Sequence, residues 1–278
     1  MSRIAARFAA LRAEGRGGLV AFVTAGDPDT GVSTEILAGM PAAGADIIEL
    51  GMPFTDPMAD GPAIELASGR ALAGGHSMVR TLEMVRGFRE TDNETPIVLM
   101  GYYNPIYAYG PERFAADAGS AGVDGMIVVD LPPEEEAEFS IPARAAGMDM
   151  IRLVAPTTTE ERIATLVEKA SGFVYYVSVR GVTGTSSAAA SDIESNVARI
   201  RKQTDLPIAV GFGIRTPAQA ADVAAVADAA VVGTAIVEKV AAALDENGAP
   251  AGDVVGDTLG YITQLAEAVR SARNGNAS

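Results

Sequence analysis

AGADIIEL, residues 43–50, is a tight turn, an aspartate and then an apolar run, and the chain writes much the same phrase three more times. The other copies are AGVDGMIVVD at 121–130, AGMDMIRLVAP at 146–156 and VADAAVVG at 226–233. In each, a glycine or alanine ends a helix and the residues after the aspartate enter a sheet, so one supersecondary unit is being repeated. Four further stretches lack this lead-in but are equally apolar: GLVAFVTAG (18–26), TPIVLMG (95–101), GFVYYVSV (172–179) and LPIAVGFG (206–213). Between them, segments such as TGVSTEILAGMPAAG, PERFAADAGSAG and TEERIATLVEKASG carry apolar residues at helical spacing.

Strands this apolar on both faces belong in a parallel sheet covered by helices. Eight strand–helix units in a chain of 278 residues predict an α/β fold closed as a (β/α)8 TIM barrel. An open doubly wound sheet would carry a G-x-G-x-x-G turn after its first strand, and AFVTAGDPDT lacks it. Residues 2–14 are expected to add an N-terminal helix with Ile4, Phe8 and Leu11 on one face, and 253–273 a C-terminal helix. With no linker or low-complexity segment, residues 1–278 read as a single domain.

Composition removes several function classes. The chain has no cysteine, which excludes a disulfide scaffold, a thiolate nucleophile and a sulfur-ligated metal. His76 is the only histidine, at the start of a predicted helix, and a surface or capping role is expected for it. A net charge of -15 argues against a nucleic-acid partner, which needs clustered Lys and Arg. No apolar run approaches the roughly 18 residues of a membrane span, and MSRIAARFAALRAEG lacks the compact apolar stretch of a signal peptide, so a soluble, cytoplasmic protein is expected. Glu134, Glu135 and Glu136 follow Pro132 and Pro133 and are expected to open a helix as a solvated run, not to form a metal site.

In such a barrel only residues at the C-terminal strand ends are candidates for chemistry. Glu49, Asp60, Asp130, one of Tyr175 and Tyr176, and the loops after 179, 211 and 232 meet that condition. If Glu49 alternates with Ile47 it faces inward, where apolar neighbours raise a carboxyl's pKa toward the range of a neutral-pH proton shuttle. The plainer reading is a polar residue accepting hydrogen bonds in a barrel layer. The Pro- and Gly-rich loop with Asp56 and Asp60 favours the functional one, because it is longer than the usual strand–helix connection. Three glycine turns, RGVTGTSS (180–187), GFGIRT (211–216) and VVGTAIV (231–237), read as a phosphate cradle of backbone N–H groups. GVTGTSSAAASD is long, small and polar, as a mobile lid would be.

The stretches FVTAGDP (22–28), ELGMPFTDPMADGP (49–62), MGYYNPI (100–106), VDLPPEE (129–135), SVRGVTG (178–184), GFGI (211–214) and VGTAIV (232–237) resemble the tryptophan synthase alpha chain family, in that family's order. The resemblance implies a lyase that cleaves indole-3-glycerol phosphate to indole and glyceraldehyde 3-phosphate, with no metal and no cofactor in this chain. It also implies a partner, the beta chain, whose pyridoxal phosphate condenses indole with serine in an αββα complex that channels indole. Carried over by position, Glu49 and Asp60 are the catalytic carboxyls. Phe22, Tyr175, Thr183 and Phe212 bind substrate, with Leu99 or Met100 beside them, and Gly184, Gly213, Gly233 and Thr234 hold the phosphate. Pro53, Asp56, Asn104 and Pro132 are expected on loops facing the partner.

Some positions depart from the family pattern: Thr55 and Thr234 stand where serine is common, Glu65 where glutamine is common, and the lid arginine has moved to Arg180. A lyase working alone and a non-catalytic phosphate-binding regulatory subunit are the alternatives. The second has no use for Glu49 and Asp60 together.

Overall fold

The structure is a computed structural model that describes residues 1–177, 186–211 and 213–273. Within those residues the apolar runs form nine strands: β1 (Gly18–Thr24), β2 (Ile47–Gly51), β3 (Ile97–Gly101), β4 (Gly125–Val128), β5 (Asp149–Met150), β6 (Arg152–Val154), β7 (Val174–Val177), β8 (Ile208–Gly211) and β9 (Ala229–Val232). All the pairings are parallel. β1 lies between β2 and β9, and the sheet runs from β5 at one end to β6 at the other. These two end strands are halves of the single strand predicted at 146–156, divided at Ile151: the first half pairs with β4 and the second with β7. The ring therefore closes through one interrupted strand, and the predicted eight-stranded barrel with its helical shell is what the chain forms.

A two-residue period sorts the strand side chains into two cores. Val20, Ile47, Val98, Ile127, Phe173 and Ala209 point into the barrel. Their neighbours Leu19, Ile48, Ile97, Met126, Val174 and Ile208 point outward against the helices. Both sets are fully buried, which is why these strands read as unbroken apolar runs. The helix Arg3–Ala13 lies across the N-terminal end of the barrel, and Ile4, Phe8 and Leu11 join the interior cluster as its plug. Burying three such side chains is worth on the order of 5 kcal/mol before chain entropy is subtracted. The helix Val254–Ser271 packs its buried face, including Ile262, Leu265 and Val269, into the outer layer.

The repeated lead-in has a mechanical reason. Gly44, Gly122 and Gly147 take φ of 101°, 95° and 86°, the left-handed region that ends a helix and that glycine enters without a Cβ penalty. Each following aspartate then sits at a strand's N-terminal end. Asp46 donates its backbone N–H to the carbonyl of Leu19, and its carboxylate accepts the N–H of the same residue at 2.9 Å. Asp124 makes the same reciprocal pair with Ile97, and Asp228 with Ile208. Guanidinium groups complete each site: Arg16 on Asp46, Arg89 and Arg3 on Asp124, Arg201 on Asp228. Asp149, in the third copy, accepts instead from the hydroxyl of Ser2, tying the plug helix to the barrel.

Three expectations need correction. His76 is buried, not on the surface; its Nε2 meets Thr81 Oγ1 at 2.9 Å, its ring lies against Gly26, and burial pulls its pKa down to about 4. The neighbouring helix Met78–Arg89 is capped by Ser77 instead. The glutamate run does not open the helix, which starts at Ala137, and it is not wholly solvated: Glu136 is buried and ion-paired with Arg152. From Ser186 onward the stretch expected as a lid is the first two turns of the helix Ser186–Arg201, while its earlier part, 181–185, lies outside the described residues.

The aspartate clamps should carry measurable stability. Asp46→Ala leaves the buried Leu19 N–H and the Arg16 Nη2 group without partners, and urea unfolding is expected to show a loss of about 3–5 kcal/mol. Asp29→Ala, removing an exposed helix cap, is expected to cost only about 1 kcal/mol. Equal losses would mean that the clamps do no more than ordinary caps.

Candidate active site

The interior alternation that buries Ile47 brings Glu49 to the inner face at the end of β2, between Phe22 of β1 and Val98 of β3 in register. It is 1% exposed, and among the described residues its Oε2 has no hydrogen-bond partner. Desolvation, with a smaller push from Asp60, raises its pKa to about 8. Every other buried acid has a cation at hand: Asp27 has Arg70, Asp46 has Arg16, Asp124 has Arg89 and Glu136 has Arg152. A buried carboxyl without a cation is destabilising unless it stays protonated. Glu49 is therefore held protonated at neutral pH.

Above it lies a cavity of about 140 Å³. Phe22, Met100 and Tyr175 wall it with Glu49, and Gly213, Gly233 and Thr234 form part of its lining at the ends of β8 and β9. The same alternation decides two ambiguities. Tyr175 faces inward beside Glu49, whereas Tyr176 packs outward in the helical layer. Met100 lines the cavity, whereas Leu99 points outward. Gly211 makes room for the tyrosine: a Cβ there would stand 2.6 Å from the Tyr175 hydroxyl oxygen. Gly51 does the same for Phe22, whose Cζ would lie 2.6 Å from a Cβ.

The helix Thr234–Ala242 starts at the cavity with Gly233 as its cap residue and no side-chain cap. Its first N–H groups have no acceptor within the helix and carry the positive end of its dipole, so they favour an anion. This is how a chain of net charge -15 can offer a local anion site.

Asp60 ends the loop between β2 and the helix Pro62–Ala73, two residues before that helix. It is not among the residues lining the cavity but is coupled electrostatically to Glu49. Partial burial raises its pKa to about 6, against the opposing effect of a hydrogen bond from Tyr102. Tyr102 is the residue that sequence reasoning missed. It is buried under the loop, its hydroxyl oxygen accepts the N–H of Ala59 at 3.0 Å, and its ring packs on Phe54 at 5.6 Å. The signal was available, since Tyr102 is two residues past the inward-facing Met100. Ile64, Val177, Ile214 and Val231 complete the apolar lining, and nothing distinguished them in sequence from ordinary core. Thr183, Gly184 and Phe212, expected at the site, lie outside the described residues, as does Arg180.

The family model for the tryptophan synthase alpha chain matches residues 8–256. This chain belongs to that family. A tryptophan synthase alpha subunit from Legionella pneumophila str. Paris is 39% identical, with a TM-score of 0.87 and coverage of 97% of this chain and 98% of that one. A second Legionella pneumophila alpha chain is 37% identical over 100% and 99% of the two chains, also with a TM-score of 0.87. A tryptophan synthase chain from Mycobacterium tuberculosis is 35% identical over 97% and 98%, with a TM-score of 0.85. Membership of the tryptophan synthase alpha chain family thus agrees with the resemblance carried by the sequence motifs and with the barrel they predicted.

Burial of Glu49 has a consequence that can be measured without any substrate. Its folded pKa near 8 exceeds the ordinary 4.5, so the native state is favoured by this group below pH 4.5 and loses that advantage as pH rises toward 8. Glu49→Gln should match wild-type stability near pH 4.5 and exceed it by roughly 3–5 kcal/mol above pH 8. Denaturant titrations across that range check this, and a pH-independent difference would place the carboxyl in water.

Proposed function

We propose that this member of the tryptophan synthase alpha chain family cleaves indole-3-glycerol phosphate to indole and glyceraldehyde 3-phosphate, a carbon–carbon lyase step of retro-aldol type. The observation that carries the reading is Glu49: a buried carboxyl with no cation among the described residues, its pKa near 8, facing a cavity partly lined by glycine turns.

The chemistry requires a proton at indole C3, which places positive charge on the ring nitrogen. Protonated Glu49 supplies that proton, and ionised Asp60 accepts a hydrogen bond from the ring N–H and stabilises the cation. The carboxylate left on Glu49 then takes the proton of the glycerol hydroxyl next to the ring. The C–C bond breaks, its electrons restore the indole, and the hydroxyl carbon becomes the aldehyde. Glu49 ends protonated, ready for another cycle. The turns at Gly213, Gly233 and Thr234, with Gly184, hold the phosphate, and Phe22, Met100, Tyr175 and Phe212 enclose the indole. Thr183 meets Asp60 when the site closes. Nothing in this sequence of steps calls for a metal or an organic cofactor in the chain.

The partner we propose is a beta chain carrying pyridoxal phosphate, in an αββα complex in the cytoplasm, with indole passed between the sites. Exposed residues on the loops at this end of the barrel support a docking face: Asp56, Met58 and Pro132, with Asn104 on the short helix Tyr103–Tyr109. Pro53, expected there too, is buried beneath its loop. No helix among the described residues is long and apolar enough to cross a membrane.

Indole release from indole-3-glycerol phosphate, followed with and without a beta chain, tests the proposal. Glu49→Gln should lower kcat by at least about 10³-fold with little change in KM, and Asp60→Asn should lower it less because a hydrogen-bonding group remains. A wild-type rate in Glu49→Gln would remove the carboxyl from the mechanism. With Asp60 needed ionised and Glu49 protonated, kcat/KM should rise as pH passes about 6 and fall as it passes about 8.

A further inference from the structure

The barrel wall has a seam where its fifth strand is interrupted. β5 pairs with β4 only through Gly125 and Met126, and Ile151 adds one more bond, from its N–H to the carbonyl of Met126. Beyond that point β6 pairs with β7 alone, and among the described residues no backbone hydrogen bond joins residues 127–131 to 152–156. A cavity of about 430 Å³ lies in the gap, with Val128 and Pro133 on one side and Arg152, Arg162 and Leu166 on the other.

Side chains cross the seam where the backbone does not. The segment 132–136, which follows β4, is fastened to the far side at three points. Glu136 pairs with Arg152 of β6, and Arg152 and Glu136 are only 4% and 3% exposed. Glu134 forms a two-bond pair with Arg162 on the helix Glu160–Glu168, and Lys169 Nζ donates to the carbonyl of Pro133 at 2.8 Å. The Glu134 and Arg162 side chains are substantially exposed and so worth little individually. The buried pair is the one shielded from water, and Glu136 has a second, more exposed cation in Arg144 at 3.7 Å.

Arg152 is also linked along its strand to interior side chains next to Tyr175, which lines the cavity at Glu49. It points outward between Ile151 and Leu153, which face inward. Leu153 is in register with Tyr175 on β7, and Val129, at the other bank of the seam, joins the same mouthward group of interior side chains with Met100. We propose that Arg152 is a positioning residue. By pinning the strap through Glu136 it holds the two banks of the seam at one spacing, and so sets the wall formed by Leu153 and Val129 beside Tyr175. This deepens the lyase reading and rests on it for the kinetic consequence alone.

Removing one partner of a buried pair strands a charge, whereas replacing both by apolar side chains often restores stability. The test is therefore the double variant Arg152→Met/Glu136→Met, beside Arg152→Met alone, with three readouts. Thermal unfolding should show the single variant destabilised and the double within a few degrees of wild type. Amide hydrogen exchange at 134–136, measured without substrate, should be at least about tenfold faster in the double variant than in wild type. Indole release by the double variant should show kcat/KM lowered about tenfold, mostly through KM. A double variant with wild-type exchange in the strap, or with wild-type kinetics despite a loosened strap, overturns the proposal. Because exchange is read without substrate, loss of the lyase reading itself would appear separately, as no indole release from the wild-type chain.

Discussion

Register is the constraint on which the rest of this barrel depends. Side chains in a strand alternate between faces, so sliding one strand by a single residue would exchange its inward and outward sets. Ile47 and Glu49 would then face the helices, and Ile48 and Leu50 the barrel. The reciprocal bonds of Asp46 with Leu19, Asp124 with Ile97 and Asp228 with Ile208 fix that register at the end of the barrel opposite the catalytic face. Each clamp engages both the N–H and the carbonyl of one particular residue, and a slipped strand could not satisfy both. Stability is thus concentrated at the bottom, plugged by Ile4, Phe8 and Leu11, and the top is left free for chemistry.

The buried charges divide along the same axis. At the bottom Asp46, Asp124 and Asp228 each meet a guanidinium, and Asp149 meets the hydroxyl of Ser2. At the top Glu49 has apolar neighbours, Tyr175 and the like charge of Asp60, which favour its protonated form. One fold therefore gives some buried acids a cation and leaves one protonated without one, by controlling what lies within a few ångströms of each. Tyr102 adds a further adjustment by hydrogen-bonding Asp60 while accepting the N–H of Ala59, so that the loop's geometry and the acid's ionisation depend on one hydroxyl.

Interruption of the fifth strand at Ile151 shows how side chains substitute for a ladder. Backbone bonds hold every other neighbouring pair of strands. Across the seam the bridge is made by Arg152, Arg162 and Lys169 acting on the segment 133–136. An arginine in an otherwise apolar strand is costly to bury, and desolvation lowers the pKa of Arg152. Glu136 in contact and Glu134 nearby supply the negative charge that offsets that cost.

Much of this was legible in the chain before any coordinates. The four copies of the turn–aspartate–strand phrase and the four further apolar stretches indicated the number of strands and their parallel sense, because doubly buried strands need continuous apolar runs and helices need their own period. The end helices followed from the spacing of Ile4, Phe8 and Leu11, and the motif order pointed to the family. Glu49 was legible as a candidate because an acid in an apolar strand violates the local pattern. What the sequence could not supply was proximity between residues far apart in the chain. That Glu136 meets Arg152 instead of water, that His76 is buried against Gly26, that Tyr102 reaches Asp60, and that Gly211 makes room for Tyr175 all depend on how the ring closes. A chain's own periodicities determine which face each residue presents. Only closure of the barrel determines what each face meets, and a carboxyl's charge depends on that encounter.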